Sequence, residues 1–297
     1  MTDSKHSSKH SAHKTDHVRH SDSKNAGNLF YMLVVVVALV MGYNQIQVFN
    51  AESGLVSLTQ TTEFSSGSGD LSDQAATGVA ALEGSNTIIG PQLNSDGRTT
   101  ILVEWPAISN VPKPQDTGDP VQDAINYIVP TGTPWYLADG VGAQLEISFD
   151  DPIQAQQVWG QFGRSLQLDG EKQQRYEKLV SIFTCDFCCG GPTSVTTINR
   201  CGCAHAYAWK GIAKFFVEYY GDDYSDEEIL GEMTRWKGLW YPKGMIEMYL
   251  VYVGQADAST LNYGGSVGIR AQFEGEGTGG SASISELGDL PGMVGGC

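Results

Sequence analysis

Residues 185–205 read CDFCCGGPTSVTTINRCGCAH. The stretch holds five of the six cysteines and, in His205, the one histidine that does not lie in the first 20 residues. Two thiol knots, CxxCC (Cys185, Cys188, Cys189) and CxCxH (Cys201, Cys203, His205), are separated by a Gly190-Gly191-Pro192 turn and a short polar and β-branched run. Thiolate and imidazole donors gathered this closely are the pattern of a metal site. Cys185 and Cys188 form a CxxC chelate, and Gly202 eases the return through Cys201, Cys203 and His205. Five thiols and one imidazole exceed the four positions of a tetrahedral zinc. The expected ligands are therefore Cys185, Cys188, Cys201 and Cys203 or His205, with Cys189 and Cys297 as auxiliary thiols. The surplus implies either a spare reactive thiol or a thiolate-rich site suited to a soft metal such as Cu(I).

Two other readings of the same thiols stand beside the metal. Structural disulfides are disfavoured because adjacent Cys188 and Cys189 would strain the peptide between them, and Cys201 and Cys203 are too close to bridge easily. A thiol–disulfide redox protein has a stronger physical case. Cys203 and His205 fall at the start of a predicted helix, Ala204–Tyr220, where the dipole and free N–H groups favour thiolate. The thioredoxin arrangement is missing, since this CxxC runs into Gly-Gly-Pro rather than a helix and has no βαβ unit around it.

Outward from the thiols the chain reads as helices. Asp151 caps a helix with Pro152 at its first position, carrying Ile153, Val158, Trp159 and Phe162. Residues 170–183 place Tyr176, Leu179, Val180 and Phe183 on one stripe, and 204–220 do the same with Trp209, Ile212, Ala213, Phe216 and Tyr220. Ser225 and Glu228 form a capping-box signature for a helix through Trp240 that Pro242 ends, and Lys243–Val253 reads as one more. The many aromatics of this half sit at core-forming helical positions, so packing explains them better than a membrane belt.

Upstream the signals are weaker. Thr87–Ile89 and Thr99–Trp105 are β-like runs around an Asn-Ser-Asp-Gly turn at 94–97, residues 111–134 read as irregular, and the alternation in 143–149 predicts an edge strand. Residues 50–86 are a Ser/Gly/Thr/Ala spacer. Residues 29–43, LFYMLVVVVALVMGY, carry no charge, and the uncharged stretch continues through Ala51. With the amide-bearing residues to Phe49 it reaches the ~20 residues a helix needs to cross a bilayer, and a single-pass signal anchor is expected. Residues 1–27 are low-complexity Ser, His and Lys. His6, His10, His13, His17 and His20, at steps of four and three, would share one helix face and offer a weak metal site.

Composition limits the partners. The 297 residues carry a formal charge of −16, with five of the 18 basic residues in the first 24 positions. So acidic a body disfavours nucleic acid, whose phosphates need clustered Lys and Arg. The basic tail should stay cytoplasmic and the acidic body outside, where an iron–sulfur cluster would face oxidising conditions. There is no P-loop, no G-x-S-x-G and no H-E-x-x-H, and the glycines at 275–280 lack the flanking strand and helix of a nucleotide fingerprint. No nucleotide cofactor is expected, and an enzyme is expected only as a thiol–disulfide exchanger.

Cys185-x-x-Cys188-Cys189-Gly190, Cys201-Gly202-Cys203-Ala204-His205, Gly211-Ile212-Ala213-Lys214 and Asp226-Glu227-Glu228-Ile229-Leu230 carry a resemblance. So do Val129–Pro134 and the terminal Met293–Cys297. The chain resembles an uncharacterised family of archaeal membrane-anchored, cysteine-rich proteins. The resemblance implies an archaeal source and a membrane-tethered cysteine domain, and it brings no activity or catalytic residue. The expected organisation is a cytoplasmic tail (1–27), a transmembrane anchor (28–49), a flexible stalk with minor β (50–141), a mainly α domain around a Cys/His loop (142–253) and a Gly-rich tail (254–297). The leading function is extracytoplasmic binding of zinc or another soft metal. A redox protein and a surface interaction module with a structural metal are the alternatives.

Overall fold

Asp-Pro pairs and a Ser-x-x-Glu box mark helix starts in this chain, and a helix begins at each. The computed structural model describes residues 85–275 and 284–296. The tail histidines, the expected anchor at 28–49, residues 50–84 and Cys297 lie outside them. No helix among the described residues is long and apolar enough to cross a membrane. The described region is mainly α, with 51% helix against 13% strand.

An antiparallel hairpin comes first, β1 (Thr87–Leu93) with β2 (Thr100–Pro106), in the register Thr87↔Pro106 and Leu93↔Thr100. Asp96 holds its turn by accepting from the Arg98 and Thr99 N–H groups. Helix α1 (Pro120–Ile128) follows, capped by Asp119 on the Gln122 N–H, then the short α2 (Trp135–Ala138) and α3 (Gly140–Ala143). Helix α4 (Pro152–Ser165) starts as expected on Asp151, whose side chain accepts from the Gln154 N–H. It is followed by α5 (Gly170–Ile182). A second hairpin, β3 (Thr184–Gly191) with β4 (Ser194–Thr197), carries the first thiol knot. Helix α6 (Ala204–Tyr219) then leads to α7 (Asp226–Trp240), which opens on the complete Ser225–Glu228 capping box. Helices α8 (Pro242–Tyr252) and α9 (Ser266–Gln272) complete the order.

Helix α7 is the centre of the core. Every residue from Ile229 to Trp240 is buried, the mark of a helix enclosed on all sides. Trp236 packs at 4.5 Å from Phe149, 5.9 Å from Trp159 and 5.4 Å from Trp240, ring centre to ring centre. Such fully buried aromatics each contribute on the order of 1.5–3 kcal/mol. The other expected core residues Trp209, Phe215, Phe216 and Tyr241 are buried too.

Three expectations give way, besides the reading of 111–134 as irregular, within which Asp119 caps helix α1. Residues 85–141 were expected as stalk, but Ile88, Ile89, Leu102, Tyr127 and Ile128 join the core. Their loops satisfy the backbone with side chains instead of regular structure. Asn86 donates to the Ala107 and Ser109 carbonyls and accepts from the Val111 N–H. Buried Glu232 accepts from the Ser109 N–H and from the Tyr136 hydroxyl. Second, the edge strand at 143–149 does not form. Ile147 and Phe149 are buried as the alternation implied, yet Glu146 takes a positive φ of 52° and Phe149 pairs with the Gly132 carbonyl of a loop. Third, the Gly-rich tail is folded where it is described. Leu261, Ile269 and Leu287 are fully buried, and the Val294 N–H donates to the Trp240 carbonyl at 2.8 Å.

Helices α4 and α6 approach backbone to backbone. A Cβ added at Gly211 would lie 2.0 Å from the Trp159 carbonyl oxygen, and one at Gly163 would lie 2.7 Å from the Gly211 nitrogen. Lys214 of α6 locks the pair by donating to the Gly163 and Leu166 carbonyls at 2.7 and 2.6 Å, satisfying the end of α4. Gly211→Ala is therefore expected to destabilise the protein by about 1–3 kcal/mol or more, read as a lower denaturant midpoint. An unchanged midpoint would show that the two helices separate freely.

Candidate metal centre

A regular strand sends successive side chains to opposite faces, so adjacent Cys188 and Cys189 could not both serve one site from such a strand. The β3–β4 ladder breaks where this matters. Cys185 pairs with Thr196 and Gly190 with Val195, and residues 186–189 between them form an irregular bulge. Gly190 closes the bulge with φ 91°, and a Cβ there would sit 2.1 Å from the Ser194 carbonyl. The bulge brings Cys185, Cys188 and Cys189 together. The expected turn at Gly190–Pro192 is present and is pinned from outside, the Gly191 and Pro192 carbonyls accepting from Gly265 and Val267.

The second knot comes from the start of α6. A 3₁₀ turn at Ile198–Arg200 delivers Cys201, and Cys203 is the N-cap of α6, its sulfur accepting from the Ala206 N–H at 3.3 Å. Cys185, Cys188 and Cys203 form one group whose sulfurs all lie within 4.8 Å of one another, and Cys185, Cys189 and Cys201 form another. Cys185 belongs to both. Sulfur–sulfur separations are 3.3 Å for Cys185–Cys188, 3.7 Å for Cys188–Cys189 and 3.2 Å for Cys189–Cys201. A tetrahedral ion with metal–sulfur bonds of about 2.3 Å sets sulfur edges of about 3.8 Å. A disulfide requires about 2.05 Å. The thiols are spaced nearer the former, and all five are free. A cluster of cysteines able to hold a metal ion is thus present.

Access and charge are uneven across the cluster. Cys185 and Cys201 are buried, Cys189 and Cys203 half-buried, and Cys188 exposed. Hydrogen bonds from the Cys185 and Cys188 thiols hold Cys203 well below the usual thiol range, and burial does not offset them. The same bonds to Cys188 and Cys203, with burial, push Cys185 up. Burial and its bond to Cys201 raise Cys189. The thiol at the start of α6 is thus held lower than its neighbours, chiefly by the Cys185 and Cys188 hydrogen bonds. Lys210 stands close by, donating to the Cys201 carbonyl at 2.9 Å.

His205 takes a different place from the one expected. It is fully buried and belongs to neither thiol group. Its Nε2 lies 2.8 Å from the Val294 carbonyl, which only accepts, so the ring proton is on Nε2. Nδ1 lies 3.0 Å from the Tyr241 hydroxyl oxygen, and that hydroxyl donates to the Cys188 sulfur at 3.2 Å. His205 thus joins the C-terminal segment to the thiols through Tyr241. The segment itself is docked, Gly296 exchanging hydrogen bonds with Gln156.

Sequence reasoning missed the support beneath the cluster. Lys237 and Asp186, both fully buried, form an ion pair at 2.7 Å. Lys237 also donates to the Thr184 carbonyl at 2.9 Å, and its ammonium stands 4.2 Å above the Phe183 ring. The available signal was a lysine on a helix face shared with Met233, Trp236 and Trp240.

Compared with family models, curated proteins and solved structures, the chain matches none. The geometry of the thiols therefore carries the functional argument alone.

Replacing one partner of the buried pair strands the other. Asp186→Asn is expected to cost about 3–5 kcal/mol, most of it recovered in Asp186→Leu with Lys237→Met. Equilibrium unfolding of the three proteins checks this, and a loss under about 1 kcal/mol in Asp186→Asn would mean the pair does not hold β3.

Proposed function

We propose that this protein binds thiophilic metal ions, zinc or a soft ion such as Cu(I), through Cys185, Cys188, Cys189, Cys201 and Cys203. The observation that carries the reading is the sharing of Cys185 between two groups of three sulfurs. A shared thiolate suits a bridged, sulfur-rich site better than a single closed tetrahedron. The exposed edge at Cys188 gives an incoming ion or ligand a route to the sulfurs. The large apolar core around α7, into which Cys185 and Cys201 are themselves packed, supports the fold without an ion and favours metal handling over a purely structural zinc. The hydropathy of residues 28–49 supports placing this domain on the outer face of a membrane, with the basic tail inside.

A redox reading has one observation behind it, the low thiol of Cys203 at a helix N-cap beside Cys185 and Cys188. The two readings separate cleanly in a native mass measurement with element analysis, on full-length protein purified without chelator or reductant. The metal reading expects bound ions, lost in Cys185→Ser and reduced in Cys189→Ser or Cys201→Ser. Metal-free chains lighter by two hydrogens per cysteine pair would replace it with thiol–disulfide chemistry.

Two further outcomes are expected. Chelation should strip the metal with little change in helical circular dichroism, whereas collapse of the helical signal would make the metal structural. Loading requires the raised Cys185 and Cys189 thiols to shed their protons. Affinity, measured by chelator competition, should therefore rise from pH 6 to pH 8.

A further inference from the structure

A cavity of about 580 Å³ lies among residues 109–135, Phe149 and helix α7, away from the thiols. That volume falls within the roughly 300–1,000 Å³ of small-molecule sites. One charged side chain lines it, Arg235, which is 3% exposed. No Asp or Glu is among the lining residues, in a chain with 34 of them.

Arg235 is under-satisfied for a buried cation. A guanidinium has five N–H donors in a planar fork. Here Nη2 donates to the Asn110 carbonyl at 3.1 Å, and Nη1 makes only a long contact of 3.5 Å to the Tyr127 carbonyl. Nε is buried with no partner among the described residues. No carboxylate among those residues comes within ion-pair distance of it. Glu232, the carboxylate whose field acts on it, spends its oxygens on Ser109 and Tyr136. Glu232 thus answers the charge through space but gives the guanidinium no hydrogen bond, and buried N–H donors left without an acceptor are costly unless something supplies one.

We propose that this cavity binds a small organic carboxylate with an apolar body, its carboxylate seated on the Arg235 fork. A carboxylate matches one guanidinium in charge and in planar, two-pronged geometry. A phosphate dianion would leave a charge uncompensated, since no second cation lines the cavity. Ile125, Trp135 and Phe149 supply the apolar wall, and Pro130 and Pro134 stiffen it, limiting the ordering cost of binding. Phe149 also lies 5.9 Å from the guanidinium carbon and helps fix its orientation.

The test is a ligand-observed NMR titration of full-length protein with phenylacetate, its neutral isostere phenylacetamide, and inorganic phosphate. Saturable phenylacetate binding, at least about tenfold tighter than the amide and undisplaced by phosphate, is expected, because the amide would leave the Arg235 donors unpaired. Arg235→Gln should abolish the preference for the acid. Thr133→Trp, a substitution at an exposed lining residue outside the core, should weaken phenylacetate about tenfold or more with thermal stability unchanged. Equal binding of acid and amide, displacement by phosphate, absence of saturable binding, or a Thr133→Trp protein that binds like the parent would each overturn the proposal.

Discussion

The candidate metal centre depends on a lysine that the core cannot leave alone. Lys237 sits on α7 where every neighbouring position is buried, and its ammonium must find partners inside the protein. It finds them in Asp186 and in the Thr184 carbonyl, the residues on either side of Cys185. A rigid helix thereby fixes the one thiol that both sulfur groups share. The desolvation cost of such a pair means it is weak evidence for stability, but its geometry is specific, and position is what a ligand set requires.

The opposing sulfurs are placed with equal independence of any metal. Cys203 is set by its role as N-cap of α6, and α6 is set by the Gly163–Gly211 crossing and by the Lys214 bonds to the end of α4. His205 and Tyr241 tie the same end of α6 to the C-terminal segment. In small zinc modules the ion gathers ligands that are otherwise unstructured. Here the thiols are delivered by a hairpin and a helix already held by the core.

Local signals were legible in the sequence at several points where a side chain caps or breaks a helix, though Asp119-Pro120 opens α1 inside a stretch that reads as irregular. Asp151-Pro152, the Ser225–Glu228 box and the stop at Pro242 each mark a real boundary, and the apolar stripes of 170–183 and 204–220 mark real faces. The β3–β4 hairpin was not legible because its bulge erases the alternation by which strands are recognised. Residues 85–141 looked like a stalk because their order rests on distant partners. Asn86 reaches 25 residues ahead to Val111, and Ser109 reaches 123 residues ahead to Glu232, distances that no local window contains. His205 was legible as a residue of the site but not as a strut, since its partner is a backbone carbonyl with no signature in the sequence.

Helix α7 carries two buried cations two residues apart, and their fates differ for a geometric reason. Positions i and i+2 of a helix point to nearly opposite sides. Lys237 faces the hairpin that brings Asp186, and its charge is answered within the fold. Arg235 faces a cavity whose lining, drawn mostly from residues 109–135, holds no carboxylate, and two backbone carbonyls are its hydrogen-bond partners. Glu232 answers its charge only through space, and its Nε donor has no partner among the described residues, which is the feature the proposed ligand would satisfy. On the two proposed readings, the thiol cluster would select cations through sulfur and the cavity lined by Arg235 would select anions through a guanidinium.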